Sequence, residues 1–173
     1  MKAKMLQIEL NTGPEWSDEI NWLKRSEEAA KAAFSVSSFG DLAEQNFALE
    51  ISIKLSNNDE VQELNAAYSG KDKPTNVLSF PLVQQDLLES LSNSDDGEVL
   101  LGDIILAHGI CSQEAKEKSI AMEDHASHLT VHGVLHLLGY DHQVEADALI
   151  MEAMEVKALE NLGIANPYAE QHI

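Results

Sequence analysis

The chain has 173 residues, 44% of them hydrophobic, with 30 acidic against 11 basic side chains and a formal net charge of −19. That length supports one domain, residues 1–173, with a sizeable core, and the absence of any run of ~18 apolar residues excludes a membrane-spanning helix. Taken alone, the acidic balance argues against a nucleic-acid partner, because phosphate binding usually shows as a basic surface, and solubility is the plainer account of it.

Residues 5–10 alternate apolar and polar and predict a strand, with no long apolar core of the signal-peptide kind. Gly13-Pro14 breaks it. Ser17, followed by Asp18 and Glu19, predicts the N-cap of a helix running to about Phe34, with Trp16, Ile20, Leu23, Ala30 and Phe34 on its buried face. Residues 48–55 alternate cleanly, with Leu49, Ile51, Ile53 and Leu55 on one face of a second strand. Asn57 or Asn58 then caps a short helix to about Tyr68 that turns Val61, Leu64 and Ala67 inward. Residues 69–75 are a loop by composition, and Asn76 to Phe80 is a third strand ended by Pro81.

Residues 84–98 predict an acidic surface excursion with a helical turn at Leu87–Leu91. Val99 to Ala107 is apolar enough for a fourth strand buried on both sides. Ser112 is the expected cap of a helical region that breaks near Ser119 and continues into a histidine-rich segment. A last helix spans about Gln143 to Leu162 and stops at Gly163, and the final residues read as a tail. Four strands among about five helices predict an α+β fold, a mixed α/β layer with one sheet.

The chemistry gathers in His132-Gly133-Val134-Leu135-His136-Leu137-Leu138-Gly139-Tyr140-Asp141-His142. His132 and His136 are one helical turn apart on one face. Gly139 can end the helix and let the chain bring His142 to the same ion. Three imidazoles with a fourth position open to water form the catalytic rather than the structural zinc pattern. The spacing matches the protease motif H-E-x-x-H-x-x-G-x-x-H, except that Gly133 stands where those enzymes carry the general-base glutamate, which disfavours peptide hydrolysis. Leu129, Val131, Leu135 and Leu138 predict that this helix is central.

Other titratable residues suggest less. His125 and His128 read as exposed or capping histidines rather than ligands, His108 stays unassigned, and His172 lies in the tail. Asp103 is expected to be a structural carboxylate bonded to a histidine or a loop backbone. Asp141 orients a histidine, acts as a base, or simply forms the turn after Tyr140. Cys111, the single cysteine, has no evident base and reads as a small core or surface residue; a lone cysteine fits a reducing, cytoplasmic setting.

Three blocks resemble the YbeY family, bacterial zinc-dependent endoribonucleases of ribosomal RNA maturation. They are Leu64-Asn65-Ala66-Ala67-Tyr68-Ser69-Gly70-Lys71-Asp72-Lys73-Pro74-Thr75-Asn76-Val77-Leu78-Ser79-Phe80-Pro81, then Leu101-Gly102-Asp103-Ile104-Ile105, then His132 through His142. Their order and spacing span roughly residues 47–160. The resemblance implies a mixed sheet packed by helices and one Zn2+ held by His132, His136 and His142. It also implies action on single-stranded RNA in ribosomal RNA maturation (the 16S 3′ end) and ribosome quality control, with the small subunit or its assembly factors as partners and no DNA or membrane partner. In the family an arginine typically follows the tyrosine of the first block; here it is Ser69, which lacks a forked phosphate contact. Lys71 or Lys73 is then the candidate phosphate contact. No residue declares itself as general base, and attack by water or by the RNA 2′-hydroxyl stays open. Two other readings stand beside this one: an assembly factor with structural zinc and weak or no catalysis, and a metal-dependent hydrolase of another substrate.

Overall fold

A computed structural model describes residues 6–40, 48–83, 98–141 and 144–168. Strands β1 (Leu6–Thr12), β2 (Ala48–Ser56), β3 (Val77–Pro81) and β4 (Glu98–Ala107) form one sheet in the order β1-β2-β4-β3. β1, β2 and β4 run parallel, and β3 lies antiparallel on the edge beside β4. Five helices accompany them among the described residues: α1 (Trp22–Val36), α2 (Asn58–Ser69), α3 (His108–Lys118), α4 (Met122–Leu137) and α5 (Glu145–Asn161). The expected α+β class is therefore present. The turn expected at Leu87–Leu91 lies outside the described residues.

The period-2 pattern of β2 does what it predicts: Leu49, Ile51, Ile53 and Leu55 are all buried in the main core. Ile104 and Leu106 of β4 join them, and α1, α4 and α5 close this face with Phe34, Leu135, Leu159 and their neighbours. The opposite face is thinner. There Val61 and Leu64 of α2 cover Ile105, Ala107, Leu78 and Phe80. Among the described residues only the end of β4 is covered on both sides; Leu100 and Asp103 are exposed, so Asp103 is not the buried carboxylate expected from the apolar run around it. Glu50 pairs with Leu100 but Ile51 with Gly102, which makes Leu101 the extra residue of a bulge.

Gly102 is where α4, β3 and β4 meet. A Cβ there would lie 2.5 Å from the Phe80 carbonyl oxygen and 2.6 Å from Leu137 Cδ2. Gly133 does the same for the middle of α4, where a Cβ would stand 3.1 Å from Ile104 Cδ1. The central helix therefore rides close on the sheet at two glycines. The expected surroundings of its histidines hold, since Leu129, Val131, Leu135 and Leu138 are all buried.

Several local expectations fail for tertiary reasons. α1 starts at Trp22, capped by Asn21, whose Oδ1 accepts the Lys24 N–H at 3.0 Å. Ser17 instead closes a turn on the Glu19 N–H, between two indoles anchored in the core: Trp16 donates to the Ser56 carbonyl and packs edge-on against Trp22. Leu23 consequently faces solvent. In α2, Asn57 is the cap, and the inward position of the last turns is Asn65 while Ala67 is exposed. α3 begins at His108 rather than at Ser112, and its Ile110 N–H is taken by Asn58 Oδ1 of another helix at 3.1 Å. Ser119 breaks the helical region as expected, in the left-handed conformation at φ 57°.

Candidate metal centre

His132 and His136 project from adjacent turns of α4, and their Nε2 atoms are 3.2 Å apart. Two nitrogens each ~2.0–2.1 Å from one ion at a tetrahedral angle lie about 3.3–3.4 Å apart, so the pair has the spacing of two ligands to one ion. The helix ends just beyond. Gly139 takes φ 99°, its N–H donates to the His136 carbonyl at 3.0 Å, and the Tyr140 N–H donates to Leu135 at 3.1 Å. This is the glycine-terminated end read from the sequence. The Tyr140 hydroxyl then accepts the Ser38 N–H at 2.9 Å, which ties the exit of α4 to the end of α1. His142 lies outside the described residues, and among the described residues no group of three candidate ligands forms.

The lower side of His132 carries the main feature that the sequence reading missed. Its Nδ1 meets Glu155 Oε2 of α5 at 2.6 Å. Glu155 is only 1% exposed, and its other oxygen receives His128 Nε2 at 2.7 Å and the Tyr168 hydroxyl at 2.5 Å. Burial by itself pushes this carboxyl up; the hydrogen bonds from His128 and His132 outweigh it and hold it at about 2. An ionised carboxylate only accepts, so His132 donates from Nδ1 and keeps the Nε2 lone pair directed at the centre. The signal was present in α5: Glu155 occupies a position of the buried stripe Met151, Ala158 and Leu159. A carboxylate at a core position demands a partner. Tyr168 likewise shows that the chain beyond Gly163 is not an idle tail.

His128 and His125 are neither exposed nor capping. Both are buried, and both have an Nδ1 without a hydrogen-bond partner among the described residues. His125 Nε2 meets Glu114 of α3 at 2.8 Å, and Glu114 also receives the Asn76 side chain at 3.1 Å. Burial pushes His125 below the ordinary histidine range; Glu114 opposes this, while Lys118 of α3 and His128 on its own helix add to it. The unfolded histidine titrates near 6.5, so below that pH the unfolded chain takes up the proton first. The His125 contribution to stability is complete above pH 6.5 and declines as the pH falls towards the folded value. Melting temperatures measured between pH 7.5 and 5.5 should therefore drop on the acid side, and less steeply in His125→Gln.

Lys71 and Lys73 stand exposed on the loop after α2. Gly70, at φ 74°, ends that helix, and buried Asn65 donates to the Lys73 carbonyl at 2.9 Å, so the loop is held from inside. Tyr68 packs against Phe80 at 5.2 Å between ring centroids. Phe80 precedes Pro81, which pairs with Gly102, the residue that touches Leu137. The end of α2 with Ser69 and the end of α4 with His136 therefore reach the same end of edge strand β3 from opposite faces of the sheet. Asp141 is exposed beyond Tyr140. His108 packs edge-on against Trp16 at 5.1 Å. Burial pushes the Cys111 thiol up to about 12, which makes it an inert core residue, and His172 lies outside the described residues.

Fold and site together define an α+β protein with a histidine centre on a buried helix. A family model described as Endoribonuclease YbeY matches residues 15–163. The chain is 54% identical over 167 residues to Endoribonuclease YbeY of Sphingopyxis alaskensis, covering 96% of this chain and 99% of that protein. It is 51% identical to the protein of the same name from Rhizorhabdus wittichii, covering 95% and 98%, and 46% identical to that of Novosphingobium aromaticivorans, covering 98% of each. In fold it resembles the solution structure of TM1509 from Thermotoga maritima, with a TM-score of 0.56 at 25% identity over 97% of this chain and 92% of that one. The chain belongs to the YbeY family.

Proposed function

We propose that this protein is a metal-dependent endoribonuclease that cuts single-stranded RNA in ribosomal RNA maturation, acting in the cytoplasm on the small subunit or its precursors. The observation that carries the metal is the Nε2 pair at 3.2 Å with His132 fixed from behind by a buried carboxylate. Zn2+ is the proposed ion, with His132, His136 and His142 as its ligands; nickel and cobalt accept the same donors, so availability favours zinc. When bound, the ion supplies Lewis-acid activation of water and stabilises charge on the phosphoryl group. The chain's own residues do the rest. The imidazoles orient the centre, and Lys71 and Lys73, exposed on the loop after α2, hold RNA phosphates as point charges. Endoribonuclease is also the activity in the name of the relatives with which this chain shares about half its residues. No helix among the described residues is long and apolar enough to cross a membrane.

A labelled single-stranded RNA incubated with purified protein tests this reading. Cleavage is expected, with loss on chelation, recovery on addition of Zn2+, and no hydrolysis of casein or simple esters under the same conditions. A zinc-loaded protein that leaves RNA intact yet binds ribosomal particles would overturn the nuclease reading in favour of an assembly factor. The exposed Ser69 at the family's arginine position and the acidic charge of the chain favour that alternative.

A further inference from the structure

We propose that Glu155, steadied by His128 and Tyr168, is a positioning residue for the metal centre, so that the chain segment after α5 sets the affinity of a site built on α4. The inference rests on the metal reading above and deepens it. Three donors from three places in the chain converge on one buried carboxylate: His132 Nδ1 at 2.6 Å, His128 Nε2 at 2.7 Å and the Tyr168 hydroxyl at 2.5 Å. A carboxylate has about four lone-pair positions, so all three fit at once. Tyr168 also packs edge-on against the His128 ring, with centroids 5.5 Å apart.

Each contact has a separate consequence. The bond to His132 selects the tautomer with its proton on Nδ1 and fixes the ring plane, so that Nε2 faces His136 Nε2. It also raises the basicity of the ligand, since a negative charge sits behind the donated proton. His128 and Tyr168 take no part in ligation. They hold the Glu155 oxygens in place and exclude water from them, for Glu155 and His128 are 1% and 6% exposed. Tyr168 approaches from beyond Gly163, whose φ of 77° turns the chain out of α5. The Asn166 side chain accepts the Tyr168 N–H at 2.8 Å, so the turn that delivers the hydroxyl is itself closed.

The test is a titration of Zn2+ against a chromophoric chelator, with the visible spectrum of the Co2+-loaded protein as second readout. The full-length protein and its Glu155→Gln, Tyr168→Phe and Glu114→Ala variants are compared. Glu155→Gln is expected to weaken Zn2+ binding by about 10–100-fold. Tyr168→Phe removes one oxygen and leaves the carboxylate with both imidazole donors; it should keep the wild-type circular dichroism, weaken Zn2+ by about 3–10-fold and alter the Co2+ spectrum. Glu114→Ala breaks the other histidine–carboxylate pair of the same helix, and should lower the melting temperature without moving the Zn2+ affinity. Wild-type affinity and spectrum in a folded Tyr168→Phe would overturn the proposal and leave the metal reading intact. So would an equal loss in Glu114→Ala, which would reduce the effect to general destabilisation. A wild-type protein that takes up no Zn2+ would overturn both.

Discussion

Glutamate placed at position 133 is expected to unfold this protein rather than turn it into a peptidase. Gly133 follows His132, where zinc proteases of the same spacing carry their catalytic glutamate, and by the motif alone the substitution would restore an active site. The structure points the position the wrong way. Gly133 is buried, and even a Cβ there would stand 3.1 Å from two carbons of Ile104. Alanine is nearly neutral by this account, because a small shift of Ile104 is offset by a gain in helix propensity of about 1 kcal/mol. Glutamate adds four more heavy atoms and a charge against the core face of β4. Overpacking costs about 1–3 kcal/mol, and an unpaired buried carboxylate several more. Together these reach the whole stability of a typical domain, about 5–15 kcal/mol. Urea unfolding of Gly133→Ala and Gly133→Glu side by side separates the terms. A Gly133→Glu protein that melts like wild type would show that the helix does not sit on Ile104 as described.

Glu155→Ala is the second large effect, a loss of about 3–5 kcal/mol in urea unfolding. The substitution strands three donors, of which His128 is 6% exposed. Its acid dependence has a definite sign. The folded carboxyl sits at about 2 against 4.5 for the free group, so its contribution is complete above pH 4.5 and disappears as the pH falls towards 2. Wild type and Glu155→Ala should differ most near neutrality and converge in acid. A difference that stays constant down to pH 2.5 would contradict the ionised state assigned to Glu155.

The parts of this molecule legible in the sequence are those decided by neighbours along the chain. Alternation alone placed Leu49, Ile51, Ile53 and Leu55 in the core, and the i, i+4 histidines with Gly139 pointed to a helix, two imidazoles on one of its faces and its end. The misread parts were decided across the fold. Ser112 lost its cap role because Asn58 of another helix takes the Ile110 N–H, and Ser17 lost its own because two indoles fix the segment around it. His125 and His128 read as surface histidines because their partners, Glu114 and Glu155, are distant in sequence. Among the many acidic residues of so acidic a chain, only burial distinguishes Glu155. Its place in the stripe of Met151, Ala158 and Leu159 was the one local sign.

On the proposed function, the histidines of α4 hold the ion on which RNA cleavage depends. Zinc content and cleavage of a labelled single-stranded RNA, measured together on wild type and His136→Ala, put this to the test. About one zinc per wild-type chain is expected. His136→Ala should lose both zinc and cleavage, with the fold retained. A His136→Ala protein that still cuts at the wild-type rate, or that keeps its zinc, would contradict that function.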